Sequence, residues 1–481
     1  MKDLSCDVVV VGCGGAGTTS ALSALESGKS VIILERAPQK ECGGGTRWTE
    51  AILNLKNERE PADDWVEEFS KNAGYHLGEG LISQSAEGYE QWSPTLKTLP
   101  YLDPEVLDAF MQGVPKALEW LSTYGITVTE GMYPLGVEIP LRQIYGGGLA
   151  IIETLMPVID EKGGQVLFET AARSLIVEDS RVVGVRAIGK EREEINIRAK
   201  AVILACGGYQ GNQHMLIQNM GPRGRYLKPV SPGSYYNKGE GIKMALDIGA
   251  CPAGDYTNSH SQMIDPRSNA SEAIVNIFAF GILVNRYGKR FTDEASSEWY
   301  HYQEGVNRAI SEQPDGIAYI ILDKNVEKFK NWKVSLRTDK PLIEDKTLEG
   351  LAGKIGVPAK ALADTVNGFN KACSKNPLDA SWFDGNGTEG IDPPKSNWAQ
   401  PISEAPFRAC PAVSSITVTF GGLKVTPKAE VIDLNGNPIR GLYAAGEPVG
   451  IYYGNYVGAT SVLRALTFGR IAGLEAARSS D

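Results

Sequence analysis

Three glycines, Gly12, Gly14 and Gly17, stand in GxGxxG order between an apolar run, DVVVVG (7–12), and a run of helical composition, TTSALSALESG (18–28). Glu35 closes a second apolar run, SVIILE (30–35), 18 residues after Gly17. This spacing suits the holding of a dinucleotide. The first glycine permits a tight turn, the second lets backbone approach a pyrophosphate, and the third allows close helix–strand packing. The helix start, with Gly15 and Ala16, offers unpaired N–H groups and partial positive charge to phosphate oxygens. Glu35 would accept hydrogen bonds from ribose hydroxyls, which favours a cofactor without a 2′-phosphate. Metal chemistry is not expected. The four histidines (His76, His214, His260, His301) show no HxxxH spacing, and the seven cysteines form no CxxC. An odd number of cysteines without paired spacing reads as reduced thiols in a cytoplasmic protein.

The elements that must position these residues follow from patterning. Strand, helix and strand across 7–35 make a complete βαβ unit and require a parallel sheet. Residues 62–125 read mostly helical, with Gly125 as a C-cap. Further strands are expected at 165–178, 181–188 and 194–208. The stretch 260–400 is richer in Trp, Tyr, Asn, Lys and Asp, with a loop-like segment at 374–398. Buried-strand patterning returns at 416–446, and a helix over 459–478 closes the chain. A sheet begun at one end and resumed at the other implies an insertion. The expected division is a discontinuous nucleotide-binding domain (1–222 and 400–481) with a cap, or substrate, domain over 223–399.

Composition sets outer bounds. The chain has 481 residues, 42% hydrophobic and 22% charged, as in a soluble globular protein. Its net charge is −10 and it has no long basic run, so no nucleic-acid partner is expected. The longest apolar stretch, 273–284, has 12 residues and contains Asn276, too short for an integral membrane segment. Met1 runs directly into the first strand, leaving no room for a signal peptide.

Four later segments add to the glycine turn: GGGTRWT (43–49), VILACGG (202–208), GLYAAGE (441–447) and YYGNYVGATSVLRALTFGRIAG (452–473). In this order, over almost the whole chain, the sequence resembles the fumarate reductase/succinate dehydrogenase flavoprotein superfamily. The resemblance implies an α/β fold: a doubly wound, Rossmann-like FAD-binding domain with an inserted α+β cap. It implies FAD held by Gly12, Gly14, Gly15, Ala16, Gly17, Glu35, Arg36, Gly44, Gly45, Thr46, Ala172, Gly207, Glu447, Ser461 and Val462. Glu447 would lie near the ribityl chain, and the closing helix would aim its N-terminus at the flavin pyrimidine. The loop at 43–49 has no His, so the FAD is expected to be non-covalent, and no second GxGxxG marks a built-in NAD(P)H domain.

Within the superfamily, GKRFTDEASSEWYHYQEGVNRAI (288–310), SNWAQPISEAPFRACPAVSSITVTFGGLKV (396–425) and 450–473 are most similar to the FAD-dependent tricarballylate dehydrogenase branch. Fumarate reductases carry an Arg proton donor four residues after the acid of RFxxE, where this chain has Glu298 after Glu294. They carry another Arg where this chain has Tyr456, two residues before Gly458. Both departures weigh against fumarate. Tyr456 instead resembles the 3-ketosteroid dehydrogenases, which hold a ketone oxygen with a Tyr hydroxyl and a backbone N–H. His260 falls where fumarate reductases carry a substrate-binding His.

Desaturation beside a carbonyl needs a group that polarises the carbonyl, a base for the α-proton and a hydride acceptor. Tyr456 and the Gly458 amide are the candidates for polarisation. Tyr300, Tyr302 and Tyr145 are candidates for the base, with His301 as an alternative whose ordinary pKa is nearer ~6.5. Arg47 and Arg142 could lower a tyrosine's pKa or clamp a carboxylate. The reading is an FAD-dependent dehydrogenase forming a C=C bond α,β to the carbonyl of a small ketone, keto acid or carboxylate. It would pass electrons to an external acceptor such as oxygen, a quinone or a carrier flavoprotein. The reverse reaction as an ene-reductase, and a non-catalytic electron-transfer subunit, are the alternatives.

Overall fold

The computed structural model describes residues 2–73, 91–94, 103–131, 141–296, 299–329, 332–374 and 383–480, the side chains of 299–302 excepted. Strand β1 (Lys2–Val11) is fully buried from Val8 to Val11 because parallel strands flank it on both sides. One neighbour is β2 (Val31–Leu34), and the other is Glu194–Leu204. Strands with both edges and both faces covered need unbroken apolar runs, as both segments have. The sheet continues through Gln165–Leu167 beyond β2, and through Pro438–Ala444 and Glu430–Ile432 beyond Glu194–Leu204. N-terminal and C-terminal segments therefore share one sheet.

Helix α1 (Gly15–Glu26) connects β1 to β2 and packs along the terminal helix, Ser461–Arg478. The seam is made of small residues. A Cβ on Gly469 would overlap Thr19, and one on Gly473 would overlap the Ser20 carbonyl oxygen. Gly17 has the same reason to be glycine, since a Cβ there would overlap the Gly12 carbonyl.

The inserted region builds a second sheet around Phe407–Thr419. This long strand pairs antiparallel with Ile317–Leu322, Ser259–Ile264 and Ile343–Asp345, and parallel with Lys228–Pro229. The second sheet thus draws on chain beyond residue 400, because its central strand lies there. Helices Trp299–Glu312, Leu348–Ile355 and Ala359–Ala372 belong to the same region. Its apolar side chains form cores separate from the one beneath the first sheet. The architecture is the α/β fold with a cap that the sequence implies. Among the described residues no helix is long and apolar enough to cross a membrane.

The seam generates a stability prediction. Gly473→Ala gains ~1 kcal/mol of helix propensity but drives a methyl group into a backbone oxygen that has no rotamer to escape to. Overpacking of this kind costs ~1–3 kcal/mol. The variant should unfold at a lower urea concentration than the parent; an equal or higher midpoint would show that the two helices can part freely.

Candidate active site

Two adjoining cavities meet at the start of the terminal helix. The first is a cleft of about 1220 Å³, counting the solvent space at its mouth. At one end Gly12, at φ +106, turns the chain beneath Ala205. Helix α1 then begins with no bond from its N-cap residue and no acid in its first turn, and its Gly15 N–H donates to the Thr46 hydroxyl at 3.1 Å. An uncapped helix start leaves N–H donors for a ligand anion to satisfy. The terminal helix also starts without a side-chain bond from its N-cap residue, and Ser461 and Val462 line the same cleft.

Every residue expected to hold the cofactor lines this cleft except Gly17, which sits behind it as a packing glycine. Glu35 accepts the Cys13 N–H at 2.9 Å and the Ala37 N–H at 2.7 Å, which fixes its carboxylate at the end of β2. Burial pushes the Glu35 carboxyl upward, and those backbone donors oppose the rise. Arg36 pairs with Glu240. Glu447 accepts from the Thr419 N–H (2.6 Å) and hydroxyl (2.8 Å) and from the Gln210 amide at 3.1 Å. Burial raises the Glu447 carboxyl and the charge of Arg464 lowers it. The Gln210 carbonyl oxygen is buried with no protein partner. Free helix N–H groups for a pyrophosphate, a fixed carboxylate for a ribose and an orphaned acceptor for a sugar-alcohol hydroxyl fit FAD.

The second cavity, of about 1000 Å³, shares Thr49, Val230, Glu272, Thr417, Ser461 and Val462 with the first. Tyr456, His260 and Gly458 all line it. The Tyr456 oxygen accepts N–H bonds from Thr460 at 3.0 Å and Ser461 at 2.8 Å, so the phenol caps the terminal helix. Burial pushes its pKa up, and those donors only partly offset this. A phenol that stays protonated keeps an O–H to give, within reach of the Ser461 and Tyr452 hydroxyls as well as of the cavity. Asn54 clasps the next turn through the Gly458 carbonyl (3.1 Å) and, by its backbone N–H, the Ala459 carbonyl (3.0 Å). Ala459 itself takes left-handed backbone, φ +57.

The His260 ring stacks on Tyr456 with centroids 4.3 Å apart. Its protonation follows from its neighbours. The Gln262 carbonyl accepts from Asn276 and Gln303, so the Gln262 amide nitrogen donates, 3.3 Å from His260 Nε2. Nε2 is then an acceptor, and Nδ1 carries the proton it donates to Glu304 at 2.5 Å. With both ring nitrogens committed to hydrogen bonds, His260 holds its ring against Tyr456.

Glu272 stands where the two cavities join. Its backbone is left-handed at φ +52, uncommon for a residue with a side chain. Burial pushes its carboxyl up to about 7, with Arg337 opposing and Glu50 adding to the rise. Arg337 lines the second cavity and pairs with Glu50 at 2.9 Å.

Other expected site residues are not gathered here. Tyr145 is 73% exposed and lines neither cavity, because it follows the Leu141–Ile144 strand out into solvent. Arg142 lies on that strand with its guanidinium at its own neighbour's carbonyl, Leu141, 3.5 Å away. Arg47 turns toward Glu153 at 4.0 Å, outside both cavities. Tyr300, His301 and Tyr302 belong to the helix Trp299–Glu312, and their side chains, like Glu298, lie outside the described residues. Sequence reasoning missed Glu272, Glu304 and Arg337. The one available signal was Glu272 at the head of the longest apolar run.

Glu35→Ala leaves the buried Cys13 and Ala37 N–H groups without acceptors, at ~1–3 kcal/mol per orphaned group. Apoprotein of this variant should bind FAD at least about tenfold more weakly, the equivalent of ~1.4 kcal/mol, read by flavin fluorescence. Parent-like affinity would remove Glu35 from the cofactor site.

Comparison with known proteins agrees with this geometry. A family model described as "FAD binding domain" matches residues 7–463. The chain is 30% identical to the NADH:fumarate oxidoreductase of Klebsiella pneumoniae over 98% of its own length and 48% of that protein's. It spans about half the length of the first curated relatives it matches. It is 26% identical to the 4-oxocyclohexanecarboxylate 2-dehydrogenase of Sinomonas cyclohexanicum, covering 97% of this chain and 92% of that one. Among solved structures, the open conformation of a flavocytochrome c3 fumarate reductase superposes with a TM-score of 0.75 at 25% identity, over 99% of this chain and 79% of that one. The chain belongs to the FAD-binding flavoprotein oxidoreductase family that includes fumarate and acrylate reductases and related dehydrogenases, and FAD is its cofactor.

Proposed function

We propose that the chain desaturates the carbon–carbon bond α,β to the carbonyl of a small ketone, keto acid or carboxylate. The observation that carries this reading is Tyr456: a buried, protonated phenol at a helix N-terminus, in a cavity that shares a wall with the FAD cleft. Such a donor stabilises negative charge that develops on a carbonyl oxygen as the α-proton leaves. FAD, when bound, supplies the two-electron chemistry and takes the β-hydride.

The chain's own residues supply the rest. The Tyr456 hydroxyl donates to the carbonyl oxygen, and His260, fixed by Glu304 and Gln262, holds the phenol ring in place. Glu272 receives the α-proton, because a carboxyl pushed up to about 7 exchanges protons near neutral pH. The proton that reaches Glu272 is one of the two hydrogens lost, and bound FAD would account for the other. Substrate breadth follows the relatives only in outline: one is named for a cyclic keto acid, another for fumarate. Electrons then pass to an external acceptor such as oxygen, a quinone or a carrier flavoprotein. A second reading, reduction of the same C=C bond with Glu272 giving the proton, is favoured by the fumarate reductase relatives.

Anaerobic mixing with 4-oxocyclohexanecarboxylate, acrylate and fumarate tests direction. Bleaching of oxidised flavin by a saturated compound supports desaturation, and re-oxidation of reduced flavin by unsaturated acids alone supports the reductase reading. Tyr456→Phe should slow the flavin step ~10²–10³-fold while FAD content stays at the parent level; an unchanged rate would remove Tyr456 from the mechanism. The pH limb has a defined sign. If Glu272 is the base, desaturation rises with pH through about 7 and then levels, whereas reduction falls over the same interval. Glu272→Gln should abolish that limb, and a limb that survives in the variant belongs to another group.

A further inference from the structure

Arg337 is unassigned by the mechanism above, yet it is the one permanently cationic side chain among the described residues lining the second cavity. Its backbone is anchored in the cap. The Arg337 N–H bonds the Ile274 carbonyl at 2.9 Å, and Leu336 bridges Val275, in the segment that carries Glu272. Its guanidinium reaches across to Glu50, which follows the glycine loop of the nucleotide-binding domain, meeting both carboxylate oxygens at 2.9 and 3.0 Å. The two partners differ in exposure. The Glu50 side chain is 48% exposed and the Arg337 side chain 25%. The acid can return to water at little cost, while the guanidinium stays against the cavity.

Resting on the desaturase or reductase reading, we infer that Arg337 is the specificity-determining residue for substrate charge: it binds one substrate carboxylate in exchange for Glu50, and Glu50 rejects a second. Both contacts to Glu50 run through one nitrogen, Arg337 Nη2, and the planar guanidinium fork as a whole matches the geometry of a carboxylate. Once displaced, Glu50 remains beside the cavity with Glu272, so a further negative charge on the substrate meets like charges. The substrate class is therefore a monoanion, a small unsaturated acid or keto acid with a single carboxylate, and not a dicarboxylate.

The test uses holoprotein and three aromatic probes that can be neither desaturated nor reduced by it: benzamide (neutral), benzoate (one charge) and terephthalate (two). Binding is read as a difference spectrum of oxidised flavin. The parent should bind benzoate more tightly than benzamide or terephthalate. Arg337→Met should weaken benzoate on the order of tenfold or more and leave benzamide unchanged, with Arg337→Lys between. Glu50→Gln should tighten benzoate and, by a larger factor, terephthalate. A parent without preference for benzoate, an Arg337→Met variant that keeps it, or a Glu50→Gln variant that leaves terephthalate excluded would each overturn the assignment. Should Arg337→Met lose FAD, the Glu50→Gln arm decides alone. Because these probes undergo no turnover, failure of the catalytic reading would appear in the bleaching experiment and not here.

Discussion

Two helix N-termini whose N-cap residues make no side-chain bond open on one cleft, and the rest of the site depends on how closely their helices pack. Helix α1 and the terminal helix approach so tightly at Gly469 and Gly473 that no Cβ fits. That seam sets the spacing between two sources of partial positive charge. It brings a segment from the start of the chain and one from its end into the lining of one cofactor cleft. Anionic pyrophosphate suits one terminus, and the negative charge of a reduced flavin suits the other. The terminal helix also gives its Thr460 and Ser461 N–H groups to the Tyr456 oxygen. One helix end thus serves both cavities.

Burial then assigns protonation roles. It raises the pKa of both Tyr456 and Glu272, with opposite consequences. A phenol starts near ~10, so a rise fixes it as a donor at neutral pH. A carboxyl starts near ~4.3, so a push in the same direction, to about 7, brings Glu272 into the range where protons are exchanged. His260, the residue a reader would choose for acid–base work, is held by its neighbours. Glu304 accepts a hydrogen bond from its Nδ1–H and the Gln262 amide donates to Nε2.

The cofactor half of this arrangement was legible in the sequence because it is local. Gly12, Gly14 and Glu35 lie within one βαβ unit, where spacing alone fixes geometry, and they line the cleft as that spacing implies. The segments at 43–49, 202–208 and 441–447 reach the same cleft, and it was the family resemblance, not any local spacing, that implied it. The substrate half is not local. Glu272 and Arg337 meet only because Leu336 bridges Val275, and His260 meets Glu304 only because Trp299–Glu312 packs on Ser259–Ile264. No periodicity connects such residues. Tyr145 and Arg142 show the converse. Each stands beside a glycine run that looks like a site, yet Tyr145, just past the end of the central strand Leu141–Ile144, faces solvent and Arg142 turns along its own backbone.

Desaturation and reduction of a C=C bond pass through the same transition state, so the residues that stabilise it serve both directions. Tyr456 offers the same hydrogen bond whether charge develops on the carbonyl oxygen from an alkane or an alkene precursor. Glu272 near neutrality is equally able to receive or return a proton. Direction is then set by the relative potentials of substrate, flavin and the external electron carrier, outside the reach of these side chains. This is why relatives named as reductases and as dehydrogenases share one fold with this chain. What the protein itself can choose is the molecule admitted, and in the second cavity that choice falls to groups that read charge: a single guanidinium anchored in the cap and an acid presented to it by the other domain.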